Sequence, residues 1–143
     1  MRAFNYMFLT TFYGDVPLIT APLSSFDEFS QPRTPVSEIY QKIIEDFSFA
    51  KENLTRDGNG YTGMPTRATG AAYLAKAYLY NKDFVNAEQA AREAIQIAES
   101  DGYYLIDDYE SIFSIDNEQN PELLFYFAFE RNSCLLYTSD AAD

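Results

Sequence analysis

The sequence predicts a mainly α chain, and three observations carry that expectation. Apolar residues recur at intervals of three and four along residues 2–13 and 34–54, the spacing of one helix face. Start and stop residues frame the helical stretches: Thr34-Pro35, Thr66 and Gly102. Two further stretches, 67–80 and 84–100, are separated only by Asn81-Lys82-Asp83, a connection that folds them into an antiparallel hairpin.

The elements follow in order. Residues 2–13 carry Ala3, Phe4, Met7, Phe8 and Phe12 as an apolar stripe, stopped by Gly14-Asp15. Val16-Pro17-Leu18-Ile19 continues extended, because the residue before proline avoids the α region, and residues 21–32 form a Ser- and Pro-containing loop. Thr34 is the expected N-cap, with Pro35 in the first turn of a helix over about 35–54. Its core stripe is Val36, Ile39, Tyr40, Ile43, Ile44, Phe47, Ala50 and Leu54, and Glu38, Lys42, Glu45, Lys51 and Glu52 are placed on or near the wet side. Three glycines between Arg56 and Gly63 end it. Thr66 caps the helix over 67–80. In the hairpin the facing residues are small, Ala68, Ala71, Ala75 against Ala87, Ala91, Ala94, with Tyr78 and Phe84 filling the turn end. A short helix is expected near 107–113. Glu122 to Phe129, continuous and aromatic-rich, is expected to be a short buried strand.

Composition narrows the function. The 143 residues include 22 acids, 10 bases, no His and one Cys, for a net charge of −12. Such a chain repels phosphates, which excludes nucleic acid and disfavours an anionic membrane surface. Without His and with one Cys, zinc sites and His-dependent nucleophile systems are excluded. No segment reaches the roughly 18 apolar residues of a spanning helix. The N-terminus has no signal-peptide pattern, so the chain is expected either to be cytosolic or to lack its targeting segment. The last ten residues, Cys134 to Asp143 (CLLYTSDAAD), resemble translated sequencing adapter rather than protein. Residues 1–133 are then the credible domain and 134–143 a non-native tail, which makes the chain an internal fragment.

The hairpin resembles a tetratricopeptide unit, with Leu74, Ala75, Tyr78, Ala87, Ala91 and Ala94 in the pattern; Ala71 stands where the first aromatic is expected and Ala75 where glycine is. One such unit cannot bury its own face. A more specific resemblance spans essentially all of 1–133. Arg2-Ala3-Phe4 with the phrase Phe12-Tyr13-Gly14-Asp15-Val16-Pro17-Leu18-Ile19 is similar to a hallmark of the SusD/RagB family. So are Arg33-Thr34-Pro35-Val36-Ser37-Glu38-Ile39-Tyr40, Arg67-Ala68-Thr69, Ala75-Lys76-Ala77-Tyr78-Leu79-Tyr80, and Asn120-Pro121-Glu122 after Asp108-Tyr109, in family order. The resemblance implies a tetratricopeptide-like α superhelix and a non-catalytic surface lipoprotein of the outer membrane. It also implies capture of oligosaccharides or other nutrients and their delivery to a SusC-type TonB-dependent transporter. The lipid-attached cysteine of such proteins is not in this sequence.

Candidate chemistry is sparse. Gly58-Asn59-Gly60-Tyr61-Thr62-Gly63 matches the dinucleotide fingerprint in letters, but a predicted helix precedes it and Met64-Pro65 separates it from the next, so no cofactor is expected. Asp57-Gly58-Asn59 begins like a calcium loop, yet Thr62 and Ala68 stand where glycine and glutamate are required. Asp107, Asp108, Glu110, Asp116 and Glu118 contain no pair singled out for glycoside hydrolysis and read as a solvated face. Asn53-Leu54-Thr55 matches a glycosylation sequon, discounted for a bacterial chain. Tyr13, Tyr40, Tyr73, Tyr78 and Tyr80 are expected in the core, whereas Tyr61, Tyr103, Tyr104 and Tyr109 fall in loops. Tyr61, with Asn59 beside it, is the candidate ligand or partner contact, since sugars stack on exposed rings flanked by polar groups. Two other readings compete: a tetratricopeptide protein-interaction scaffold, and a glycoside hydrolase.

Overall fold

A computed structural model of the chain describes residues 1–25, 30–60 and 63–127. Four α-helices, α1 (Arg2–Tyr13), α2 (Val36–Asn53), α3 (Arg67–Tyr80) and α4 (Phe84–Asp101), are followed by 3-10 turns at Tyr109–Phe113 and Ile115–Asn117. Each helix packs on the next in chain order. The contacts at their ends show that neighbours run antiparallel. Arg2 at the start of α1 meets Asp46 in the second half of α2, Gly70 near the start of α3 meets Ala50 and Lys51 near the end of α2, and Arg67 at the start of α3 meets Asp101 at the end of α4.

The core is built where the stripes face one another. Ala3, Met7, Ile39, Tyr40, Ile43, Phe47, Leu74, Ala77 and Ala90 form one buried cluster. Ile39 and Ile43 are fully enclosed, and burying each stabilises the array by about 1.5–3 kcal/mol. Phe47 stacks on Tyr73 at 5.5 Å between centroids, which joins α2 to α3. Gly70 makes a second join. A Cβ there would lie 2.7 Å from the Lys51 backbone nitrogen, so the α2 and α3 backbones approach as closely as they do only because the side chain is absent.

Capping agrees with the sequence at α3 and α4. Thr66 accepts from the Thr69 amide in a reciprocal capping box, and Gly102 ends α4 in the left-handed conformation. At α2 it differs. Pro35, not Thr34, occupies the cap position, and the Val36 N–H is taken by Asp15 Oδ1 at 2.9 Å. Thr34 instead pairs its backbone with Val16 in an isolated antiparallel bridge. Proline at the cap position has no side-chain acceptor to offer, so the acceptor for the Val36 N–H is a carboxylate from 21 residues upstream.

Other expectations are corrected by exposure. Phe84, the first residue of α4, is 65% exposed and does not fill the hairpin turn. On α4 the buried small residues are Ala87 and Ala94, as expected, and Ala90 in place of Ala91, which is only half-buried. Lys51 is not on the wet side: it crosses to Glu93 of α4 at 2.9 Å. The outer half of the α1 stripe, Phe8 and Phe12, faces outward, as do Tyr13 and Tyr80. The short helix expected over 107–113 is a 3-10 turn over Tyr109–Phe113. Residues 122–127 form no strand, since no neighbouring edge among the described residues offers ladder bonds; residues 128–129 lie outside the described residues. The tail 134–143 lies outside them too. No described helix is long and apolar enough to cross a membrane.

Candidate functional site

The C-terminal end of α2, the start of α3 and the end of α4 converge at one end of the array, and three loops meet there. Asp101 organises the junction. Its side chain is completely covered, and its carboxylate is gripped by the Arg67 guanidinium, with Nε to Oδ2 at 2.8 Å. Arg56 donates from Nε and Nη2 to the Asp101 carbonyl at 3.2 and 3.0 Å, and the Arg67 amide donates to the Thr55 carbonyl at 3.1 Å. The Arg67 hydrogen bond holds the Asp101 carboxyl below the usual carboxylate range, against the opposing pull of burial, and the same bond raises Arg67.

This clamp fixes the glycine loop at both ends. Gly58, Asn59 and Gly60 all take positive φ, at 61°, 59° and 76°. Asparagine tolerates that region better than other non-glycine residues, and here its N–H is accepted by Thr55 Oγ1 at 2.9 Å and Asp57 Oδ1 at 3.1 Å. Gly58 is buried against Met64, where a Cβ would lie 3.1 Å from the Met64 Cβ. Asn59 is thus presented at the surface on a pinned backbone. Tyr61 lies outside the described residues. Helix α2, not a strand, leads into the loop, which is the wrong context for a pyrophosphate cradle.

Beneath the loop is a cavity of about 160 Å³ edged by Asp57, Thr66, Tyr103 and Tyr126. The Tyr103 hydroxyl lies 3.3 Å from Thr66 Oγ1, and Thr69 Oγ1 donates to the Leu124 carbonyl at 2.7 Å, which holds the 121–126 segment against α3. A larger cavity of about 360 Å³ lies between α1, α2 and α3, walled by Phe4, Phe47, Phe49, Tyr73 and Phe125. At its rim Arg2 and Asp46 satisfy each other through two bonds of 2.7 Å. Burial pushes the Tyr73 phenol up, as expected of a dry aromatic wall. The lining of this cavity also includes Asn53, whose amide nitrogen donates to the Phe49 carbonyl, and Thr69.

The remaining tyrosines divide. Tyr40 is buried, and Tyr73 and Tyr78 pack against the core; Tyr104 and Tyr109 are exposed. Tyr103, half-buried beside the small cavity, is the loop tyrosine that the fold brings to a polar site, through a hydroxyl partner 37 residues away in sequence. Asp108 caps the 3-10 turn, accepting from the Glu110 amide at 3.2 Å, which accounts for one acid of the acidic stretch. No group of three potential metal ligands occurs among the described residues.

Comparison with known proteins decides the family. A SusD-like family model, described as starch-binding and associating with the outer membrane, matches residues 1–79. The chain belongs to the SusD-like family. SusD-like protein P2 of Formosa agariphila is 36% identical over 113 residues, covering 78% of this chain and 22% of the relative. A SusD-like protein of Bacteroides fragilis has the same architecture, with a TM-score of 0.79 at 28% identity over 90% of this chain and 26% of that one. A solved structure with a xylogluco-oligosaccharide aligns with a TM-score of 0.71 at 25% identity, over 87% of this chain and 26% of that one. The chain thus spans about a quarter of the length of the relatives it resembles. The mainly α, SusD-like architecture expected from the sequence is the one observed.

Proposed function

We propose that this chain is part of a non-catalytic glycan-capture protein of the outer-membrane surface, which hands oligosaccharides to a SusC-type TonB-dependent transporter. The observation that carries the reading is the starch-binding family match over residues 1–79, joined to an architecture shared with a structure that holds a xylogluco-oligosaccharide. Within this chain Asn59 is the contact best placed for a ligand or partner, on a loop pinned by Thr55, Asp57 and the Arg56–Asp101 clamp, and Tyr61 is proposed as its neighbouring stacking ring. Attachment to the membrane through a lipid anchor is part of the same proposal. A hydrolase role would need two acids at a defined separation, and Asp108 is already engaged as a turn cap.

The test is direct. The protein is titrated with xylogluco-oligosaccharides and with starch-derived maltooligosaccharides by fluorescence anisotropy of end-labelled sugar, and the products are followed by chromatography. Saturable binding with the sugar recovered intact is expected. Time-dependent cleavage abolished by one Asp or Glu substitution would replace capture with hydrolysis. Affinity purification from outer membranes of the source cells is expected to bring down a large TonB-dependent transporter.

A further inference from the structure

We propose that the small cavity under the glycine loop is a subsite for one neutral pyranose ring, with Asp57 as its hydrogen-bond acceptor and Tyr103 and Tyr126 as its walls. The proposal rests on the glycan reading above and deepens it by naming the site and the class of sugar. Its volume, about 160 Å³, holds roughly five waters, which suits one sugar ring and not two. Its surroundings supply what a sugar needs: aromatic carbon for the C–H faces and polar atoms for the hydroxyls. The Tyr103 hydroxyl lies 3.3 Å from Thr66 Oγ1, and because Thr66 Oγ1 is already engaged by the Thr69 amide and hydroxyl, it is the Tyr103 hydroxyl that can turn to a sugar hydroxyl as donor or acceptor.

Asp57 gives the subsite its selectivity. Oδ1 accepts from the Asn59 amide at 3.1 Å, and no cation pairs with the carboxylate among the described residues. An ionised carboxylate without a cation accepts from hydroxyls through charge-assisted bonds and repels a sugar carboxylate or sulfate. The chain's net charge of −12 acts in the same sense. The ordering cost around Asp57 is already met: the preceding residue, Arg56, is tied to the Asp101 carbonyl, and Asn59 to Thr55, so residues 56–59 do not have to be fixed on binding. The larger cavity is the poorer fit for a hydroxyl-rich ring, because its lining is mostly apolar and its Arg2–Asp46 pair is self-satisfied.

The experiment uses the full chain at sub-micromolar concentration, labelled xylogluco-oligosaccharide and maltooligosaccharide as neutral probes, and oligogalacturonate as the anionic one. Anisotropy gives the affinities, and hydrogen-exchange mass spectrometry locates protection. Asp57→Asn keeps the Oδ1 acceptor for the Asn59 amide and removes the charge; Tyr103→Phe removes one hydroxyl and keeps the ring. The expected result is binding of a neutral probe, protection in peptides spanning 55–67 and 102–104, and about tenfold weaker binding in Asp57→Asn with a smaller preference over oligogalacturonate. Neutral-sugar binding with protection elsewhere and no effect of either variant would overturn the subsite and leave glycan capture standing. Absence of saturable binding to all three probes would overturn both.

Discussion

Replacing Gly70 by Ala tests whether the α2–α3 approach is set by a missing side chain. On helix propensity alone the change is favourable by about 1 kcal/mol, because Gly70 lies inside α3 with no positive φ to protect. The structure reverses that sign. The new Cβ would meet the Lys51 nitrogen at 2.7 Å, the Ala50 carbonyl carbon at 3.0 Å and the Ala50 Cβ at 3.2 Å. Two of these are backbone atoms in the last turns of α2, so no rotamer change relieves them and α2 must move outward. Overpacking of that kind costs about 1–3 kcal/mol, and backbone contacts lie at the upper end. The net expectation is a loss of about 1–2 kcal/mol, or a Tm lower by roughly 4–8 °C for a chain of this size. Urea and thermal unfolding by circular dichroism at low concentration measure it. A second variant sharpens the test. Adding Ala50→Gly removes only the 3.2 Å contact and leaves the backbone clash, so the double variant is expected to be no more stable than Gly70→Ala. A Gly70→Ala protein more stable than the parent would refute the reasoning, since propensity would then have outweighed packing.

Three further outcomes are expected. Asp101 has a folded-state pKa below its unfolded value, so its stabilisation is present above the ordinary carboxylate range and is lost as pH falls through the lowered folded value; Asp101→Asn is expected to lower the urea midpoint at pH 7 and to flatten its fall below about pH 4. Asp15→Ala removes the cap on the Val36 amide and is expected to cost about 1 kcal/mol, with faster exchange confined to the first turn of α2 although the substitution is 21 residues away. Phe12→Ser, at a position 74% exposed, is expected to leave the melting temperature nearly unchanged and to reduce self-association in light scattering; unchanged association would mean that the Phe4–Phe8–Phe12 row is not the sticky surface.

The helices were legible because their information is local. Intervals of three and four locate α1 and α2 within one or two residues, and the short connection at 81–83 with Thr66 and Gly102 as end signals locates α3 and α4. What the sequence hid is what depends on a distant partner. Thr34-Pro35 has the letters of a cap, but the capping oxygen is on Asp15, and no local rule points across the loop. Phe84 and Phe12 follow the apolar period yet lie on faces that no described element covers. Gly70 is invisible to periodicity, since a glycine in a helix usually means weakness and here means contact. Of the candidate site, the glycine loop with Asn59 was legible from its turn residues. The convergence of Asp57, Thr66 and Tyr103 was not, because it needs α3 and α4 folded back so that residues 57 and 103 become neighbours.

The phrases that carry the family resemblance have a structural use of their own. Arg2 binds Asp46 and also donates to the Thr20 carbonyl at 2.8 Å; Tyr6 takes the Ile19 amide on its hydroxyl at 2.7 Å; Asp15 caps α2; Val16 pairs with Thr34. Gly14, at φ 69° and ψ −125°, makes the sharp exit from α1 that only glycine takes without strain. The two recognisable stretches, one after α1 and one before α2, are therefore the two halves of a single strap that fastens the connection between these helices. The strap accounts for those residue types by its own bonds, with no ligand involved. It follows that these two stretches serve the fold, whereas a third family phrase, Arg67-Ala68-Thr69, lies at the other end, in the Asp101 clamp and against the 121–126 segment. Specificity has to be sought where the strap does not reach, at the opposite end of α2, where the array presents its glycine loop and its polar cavity. If variants in the strap changed sugar preference rather than stability, that separation would be wrong. The Asp15→Ala protein, assayed against neutral and anionic probes side by side, decides it: an altered melting curve with an unaltered preference is the result this division of labour requires.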